Sequence, residues 1–175
     1  MYRGSSFIIW KDYQIHTPTI RVLLEQQYRQ LRNLDLNTVR TENAEVSLVF
    51  TLATRLRQLY VAAGIRSNGV TVHRIPTNTL VTKILLGTLA CTPAYDRLVV
   101  EGMKYINEFP ATFSLGGYSS CIDFFRRNLK EFKAAQEQIS MRGPRYPPMK
   151  LVDMYFWSIG NQLQELEKKK KMETG

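Results

Sequence analysis

Between Arg74 and Asp96 the sequence carries a single charge, Lys83. It lies in Thr79-Leu80-Val81-Thr82-Lys83-Ile84-Leu85-Leu86, a run that is otherwise almost entirely apolar. Two roles are open to a lysine so placed. Its stem can pack along apolar surface while the ammonium reaches water. Alternatively, a partly desolvated pocket disfavours an ammonium and leaves a free amine competent as a nucleophile. Thr92-Pro93-Ala94-Tyr95-Asp96-Arg97 follows and supplies a carboxylate. An acid in the first turns of a helix is stabilised there by the helix dipole. As the lone carboxylate of a basic, apolar stretch, Asp96 is equally suited to orient a water or to stabilise positive charge developing on a sugar. A helix, a loop and a second helix are enough to bring Lys83 and Asp96 to one cleft.

The surrounding charge points to a polyanion. The 175-residue chain has a formal net charge of +9 and a pI near 9.7. Between Glu45 and Glu101 the only acid is Asp96, against Arg55, Arg57, Arg66, Arg74, Lys83 and Arg97. A second cluster holds Arg126, Arg127, Lys130 and Lys133, with Arg142, Arg145 and Lys150 beyond it. Patches of one sign bind phosphates by releasing condensed counterions, so the expected partner is nucleic acid or an anionic membrane surface, with nucleic acid preferred. The alternative is a set of solvated helix faces that never meet, the reading preferred for Lys168–Lys171.

Other classes are disfavoured by what the chain lacks. Cys91 and Cys121 are the only cysteines, too few for a disulfide framework or a four-thiolate cluster. His16 and His73 leave little material for zinc, so neither metal nor cofactor is expected. The strongly apolar stretch from Leu80 to Ala90 is too short to span a bilayer. Lys11 and Asp12 cut short the apolar run that a signal peptide would need. These features together lead us to expect a reduced, cytoplasmic protein.

The elements that must position these residues are helical. Thr17-Pro18 reads as an N-cap and first position, with Ile20, Leu23, Leu24, Tyr28, Leu31 and Leu34 following at helical spacing. A second helix starts near Thr38 or Thr41 and stops at Gly64, and Ser67-Asn68-Gly69 reads as a turn. Thr77-Asn78 caps a third helix through Ala90; Thr92-Pro93 starts a fourth to about Asn107. Residues 118–139 form a fifth. Pro147-Pro148 opens a sixth, which frays at residues 168–175 into a basic tail. The expectation is a compact, single-domain, all-α bundle, with residues 5–16 candidates for a short strand or hairpin.

Thr82-Lys83, the apolar residues after it, and Pro93-Ala94-Tyr95-Asp96 together resemble the catalytic segment of the helix-hairpin-helix (HhH-GPD) DNA glycosylases. The last helix, through Pro148-Met149-Lys150-Leu151-Val152-Asp153-Met154-Tyr155-Phe156-Trp157, is similar to the terminal helix of small members. The chain departs from the pattern at Ile75-Pro76-Thr77-Asn78-Thr79-Leu80, where a Gly-x-Gly turn would stand, and in a shortened lysine-to-aspartate interval. The resemblance implies hydrolysis of an N-glycosidic bond in DNA, with the target nucleotide flipped into a pocket. Asp96 would stabilise the oxocarbenium-like sugar, and Lys83 would form a Schiff base if its amine reached the sugar carbon. Tyr95, Phe156 and Trp157 would stack on the base, or else belong to the core. A small chain of this kind implies a narrow substrate, such as a damaged or phage-modified base. Two other readings stay open. One is a non-catalytic nucleic-acid-binding module; the other is a helical ribonuclease using Arg66 and His73, against which the intervening turn residues argue.

Overall fold

The computed structural model describes residues 13–32, 34–40, 42–67, 70–108 and 110–173. The fold is all-α, with one two-stranded antiparallel sheet among the described residues. The N-terminal strand expected over 5–16 lies mostly outside the described residues, and its described part, Tyr13–His16, is a 3-10 turn.

Helix α1 spans Thr17–Leu23, with His16 rather than Thr17 at the cap position. Pro18 falls in the first turn, where its missing N–H costs nothing. The expected long first helix ends early. Glu25 adopts an extended conformation (φ −59°, ψ 138°), and the chain resumes as a 3-10 segment, Gln26–Leu31. Glu25 accepts two bonds from Arg55, at 2.7 and 2.8 Å, a long-range pairing that no local periodicity encodes.

Helix α2 (Ala44–Ala63) buries Val46, Val49, Leu52, Ala53, Leu56 and Tyr60, one stripe at helical spacing. It starts later than expected, after Asn43, and ends at Gly64, whose φ of 62° suits a residue without Cβ. Strands β1 (Ile65–Ser67) and β2 (Val70–Val72) then pair antiparallel. These strands were not expected, and Asn68 and Gly69 of the expected turn lie outside the described residues.

Helix α3 (Asn78–Leu89) begins as anticipated, with Thr77 Oγ1 accepting from the Leu80 amide at 3.3 Å, and ends at left-handed Ala90. Helix α4 is Arg97–Ile106, so Thr92-Pro93 does not start it. The backbone of residues 91–95 is bonded to distant side chains instead, and Asp96 takes the cap position. Helix α5 (Leu115–Arg127) is capped by Ser114, and a break at Asn128 separates it from α6 (Leu129–Ser140), where one helix was expected. Helix α7 runs from Pro148 to Glu173, so Lys168–Lys171 lies on the helix, exposed, rather than in a frayed tail.

One buried cluster draws side chains from Val22 through Phe156. Its tightest seam is the crossing of α4 and α7. A Cβ added at Gly102 would collide with the Phe156 carbonyl, and one at Gly160 with the Leu98 carbonyl. The reciprocal contacts set the helices antiparallel, with their backbones touching. This seam places the N-terminus of α4 against the side of α7. Among the described residues no helix is long and apolar enough to cross a membrane.

Candidate active-site cleft

Helix α3, the 91–96 loop and helix α7 enclose an open cleft of about 760 Å³. Lys83, Asp96, Lys150, Asp153, Tyr146 and Trp157 are among the residues lining it. Lys83 Nζ lies 2.9 Å from Asp96 Oδ2, and the two side chains are 32% and 18% exposed. The isolated lysine and isolated carboxylate therefore do meet. Asp96 Oδ1 accepts from the Val99 amide at 3.1 Å, capping α4. One carboxylate thus serves a helix terminus with one oxygen and a lysine with the other.

The loop that presents Asp96 is held by three helices. Tyr118, on α5, donates its hydroxyl to the Cys91 carbonyl at 2.6 Å. Thr79, on α3, donates to the Tyr95 carbonyl at 3.1 Å. Asp153, on α7, accepts from the Ala94 amide at 2.9 Å. Between these clamps Tyr95 has φ of +23°, a positive value that very few bulky residues adopt. Strain of this kind costs about 1–3 kcal/mol and persists only where surrounding contacts over-determine it. It is stored at the residue directly before Asp96.

Asp153 is buried, with a side chain 7% exposed, and its other oxygen accepts from Lys150 Nζ at 2.7 Å. Asp153 did not stand among the expected site residues, and Lys150 was named only with the second basic cluster. A signal existed for Asp153: it falls on the stripe of α7 that also buries Met149, Val152 and Phe156. A carboxylate on such a stripe must find donors.

Of the three aromatics expected to stack on a base, only Trp157 lines the cleft, at 44% exposure. Tyr95 and Phe156 are corrections. Tyr95 is buried, its hydroxyl 3.6 Å from Cys121 Sγ, and burial pushes its phenol pKa well above the usual range. Phe156 is fully buried against Phe124 and Tyr155. Burial also raises the Cys91 and Cys121 thiols to about 12, so neither is a thiolate nucleophile near neutral pH.

None of the expected DNA-binding cations is among the residues lining the cleft. Arg55 is held by Glu25, whose carboxyl this hydrogen bond draws below its ordinary range. Arg57 donates to Asn78 at 2.7 Å and lies over the Phe113 ring; burial lowers its pKa. Arg97 pairs with Glu101 and Arg127 with Glu108, all at the surface. Arg74 and Lys130 are exposed, and the Arg66 side chain lies outside the described residues. Arg126 is turned inward: it donates to the Leu36 carbonyl at 2.7 Å and to the Val39 carbonyl, strapping α5 to the loop before α2. It is a structural residue, not a free phosphate ligand. Among the described residues, the cations lining the cleft are Lys83 and Lys150. His73, paired on sequence with Arg66, follows β2 and bonds the Val61 carbonyl, so the two share no helix face.

Compared with known protein families, curated proteins and solved structures, the chain matches none.

Proposed function

We propose that the cleft is the active site of a DNA glycosylase that removes a damaged or modified base, with Asp96 as its catalytic carboxylate. The observation that carries the reading is the 2.9 Å Lys83–Asp96 pair on the wall of an open cleft, in a chain of net charge +9. A clamped, strained loop behind Asp96 and a half-exposed Trp157 across the cleft support it.

The chemistry follows from these positions. A flipped nucleotide enters the cleft, its base against Trp157 and its sugar near Asp96. The bond from C1′ to the base nitrogen breaks; the electron pair leaves with the base, which takes up a proton. Asp96 stabilises the positive charge left on the sugar. Water then attacks C1′ and gives its proton to the carboxylate, producing an abasic site. Lys83 would take the water's role once its amine is deprotonated: the amine bonds to C1′, and breaking of the C1′–O4′ bond, with a proton passing to O4′, gives a Schiff base that permits strand cleavage.

A non-catalytic nucleic-acid-binding module is the second reading. It is favoured by the fact that both oxygens of Asp96 already have structural partners. The experiment is incubation with duplex and single-stranded DNAs bearing normal, damaged and hypermodified bases, scoring released base and abasic sites. Release from one substrate class, lost in Asp96→Asn with DNA affinity retained, is the expected result. Release from none of a broad panel, with DNA binding intact, favours the binding module. Borohydride trapping of active protein tests Lys83: an adduct assigns the amine to C1′, and its absence leaves water as the nucleophile.

A further inference from the structure

We infer that Asp153 is a positioning residue for Asp96, a latch through which α7 sets the geometry of the catalytic loop; this rests on the glycosylase reading. Asp153 is the only acidic or basic residue buried among the described residues. Its two oxygens face in two directions. One takes the Ala94 amide, two residues before Asp96; the other takes Lys150, whose ammonium opens onto the cleft. A buried carboxylate without donors is costly, so Asp153 is stable only with the loop amide at that position. The same requirement fixes the loop.

The loop needs such a hold. Tyr95 occupies a left-handed conformation that a bulky residue leaves when it can. The strained residue is pinned on both sides: Ala94 N–H by Asp153, and the Tyr95 carbonyl by Thr79. Releasing the Ala94 amide lets Tyr95 relax towards negative φ. That rotation swings the next residue, Asp96, out of line with both Val99 and Lys83. Tyr118 and Thr79 fasten the loop to α5 and α3 with neutral hydroxyls. Asp153 fastens the loop backbone with a charge, and to the helix that also supplies Trp157.

This separates the two lysine–aspartate pairs of the cleft by role. Lys83–Asp96 faces the reacting atoms, whereas Lys150–Asp153 stands behind them and acts through the backbone. Misplacement of a reacting group by about 1 Å can cost on the order of 10²-fold in rate. Binding of DNA, which depends on the basic surface, should be unaffected.

The test uses the full chain and two variants, Asp153→Ala and Asp153→Asn. The alanine removes the acceptor for the Ala94 amide. The asparagine keeps a carbonyl oxygen there and serves as the conservative rescue; both are first checked for a cooperative thermal transition. Amide hydrogen exchange is read at residues 94–99, and single-turnover base release and DNA affinity are measured alongside. In Asp153→Ala, exchange at Ala94 and Val99 should speed up at least about tenfold and excision slow by about 10²-fold, with Kd for DNA within about threefold of wild type. Asp153→Asn should recover most of both. Unchanged exchange in Asp153→Ala overturns the latch whatever the activity. Faster exchange with a wild-type excision rate overturns the positioning role. Wild-type protein that releases no base overturns the glycosylase reading instead, and the exchange data then decide the latch alone. If Asp153→Ala does not fold, Asp153→Asn carries the test: protected amides and near wild-type excision support the latch, and loss of both with a normal melting transition overturns it.

Discussion

Replacing Asp96 by asparagine separates the two tasks of that side chain. Its Oδ1 caps α4 through the Val99 amide at 3.1 Å, and its Oδ2 pairs with Lys83 at 2.9 Å. Asparagine is as good an N-cap as aspartate, so the first task survives. The second is lost, because an amide offers the ammonium no negative charge. At an effective dielectric near 20, two charges 2.9 Å apart attract by about 6 kcal/mol. Desolvation and partial exposure offset most of that, leaving about 1 kcal/mol net. Asp96→Ala loses the cap as well, for about 1 kcal/mol more. For a chain of this size each kcal/mol lowers Tm by about 2–4 °C. Asp96→Asn should therefore melt about 2–4 °C below wild type and Asp96→Ala about 4–8 °C below, read by circular dichroism. Excision by Asp96→Asn, measured under single turnover, should fall by about 10²–10⁴-fold while the fold stays intact. An asparagine variant with wild-type excision removes Asp96 from the chemistry. An asparagine variant as unstable as the alanine one refutes the cap assignment.

Four further outcomes follow from the packing. Gly102→Ala and Gly160→Ala each force a methyl into a backbone carbonyl across the α4–α7 seam, and urea unfolding should show losses of about 3 kcal/mol or more. Arg126→Met removes two charge-assisted bonds to loop carbonyls and should cost about 2–3 kcal/mol, with the salt dependence of DNA binding unchanged; a slope reduced by about one would make it a phosphate ligand after all. The thiols of Cys91 and Cys121 should not react with a disulfide reagent at pH 8 until the protein unfolds. Their folded pKa, raised to about 12, lies above the unfolded value, so the native state keeps protons that the unfolded chain gives up. Stability should then fall as pH rises above about 9, by about 1.4 kcal/mol per thiol at pH 10, and Cys91→Ala with Cys121→Ala should flatten that slope.

Much of the scaffold was legible because its causes are local. Thr77 announces α3 through a hydroxyl that reaches only three residues ahead, and the stripe from Val46 to Tyr60 reports α2 by its spacing alone. The start of α4 was misread for the opposite reason. Thr92-Pro93 carries a helix-start signal, but the backbone around it is bonded to Asp153 and Tyr118, residues that lie far along the chain. The first helix was overrun where Glu25 reaches across to Arg55.

The site divides along the same line. Sequence by itself marked Lys83 and Asp96, since one cation and one anion stand alone in an apolar stretch, and charge isolation needs no coordinates to be seen. Tertiary structure decided that they touch, that Asp96 is also a cap, and that Trp157 rather than Tyr95 or Phe156 faces the cleft. It also turned Arg126 from a presumed phosphate ligand into a strap and brought Asp153 under the loop. Residue type determines what a group needs, a donor, a counter-charge or a dry surface. Which distant residue meets that need depends on how α3, α4 and α7 cross, and the α4–α7 crossing is set by the backbone contacts at Gly102 and Gly160.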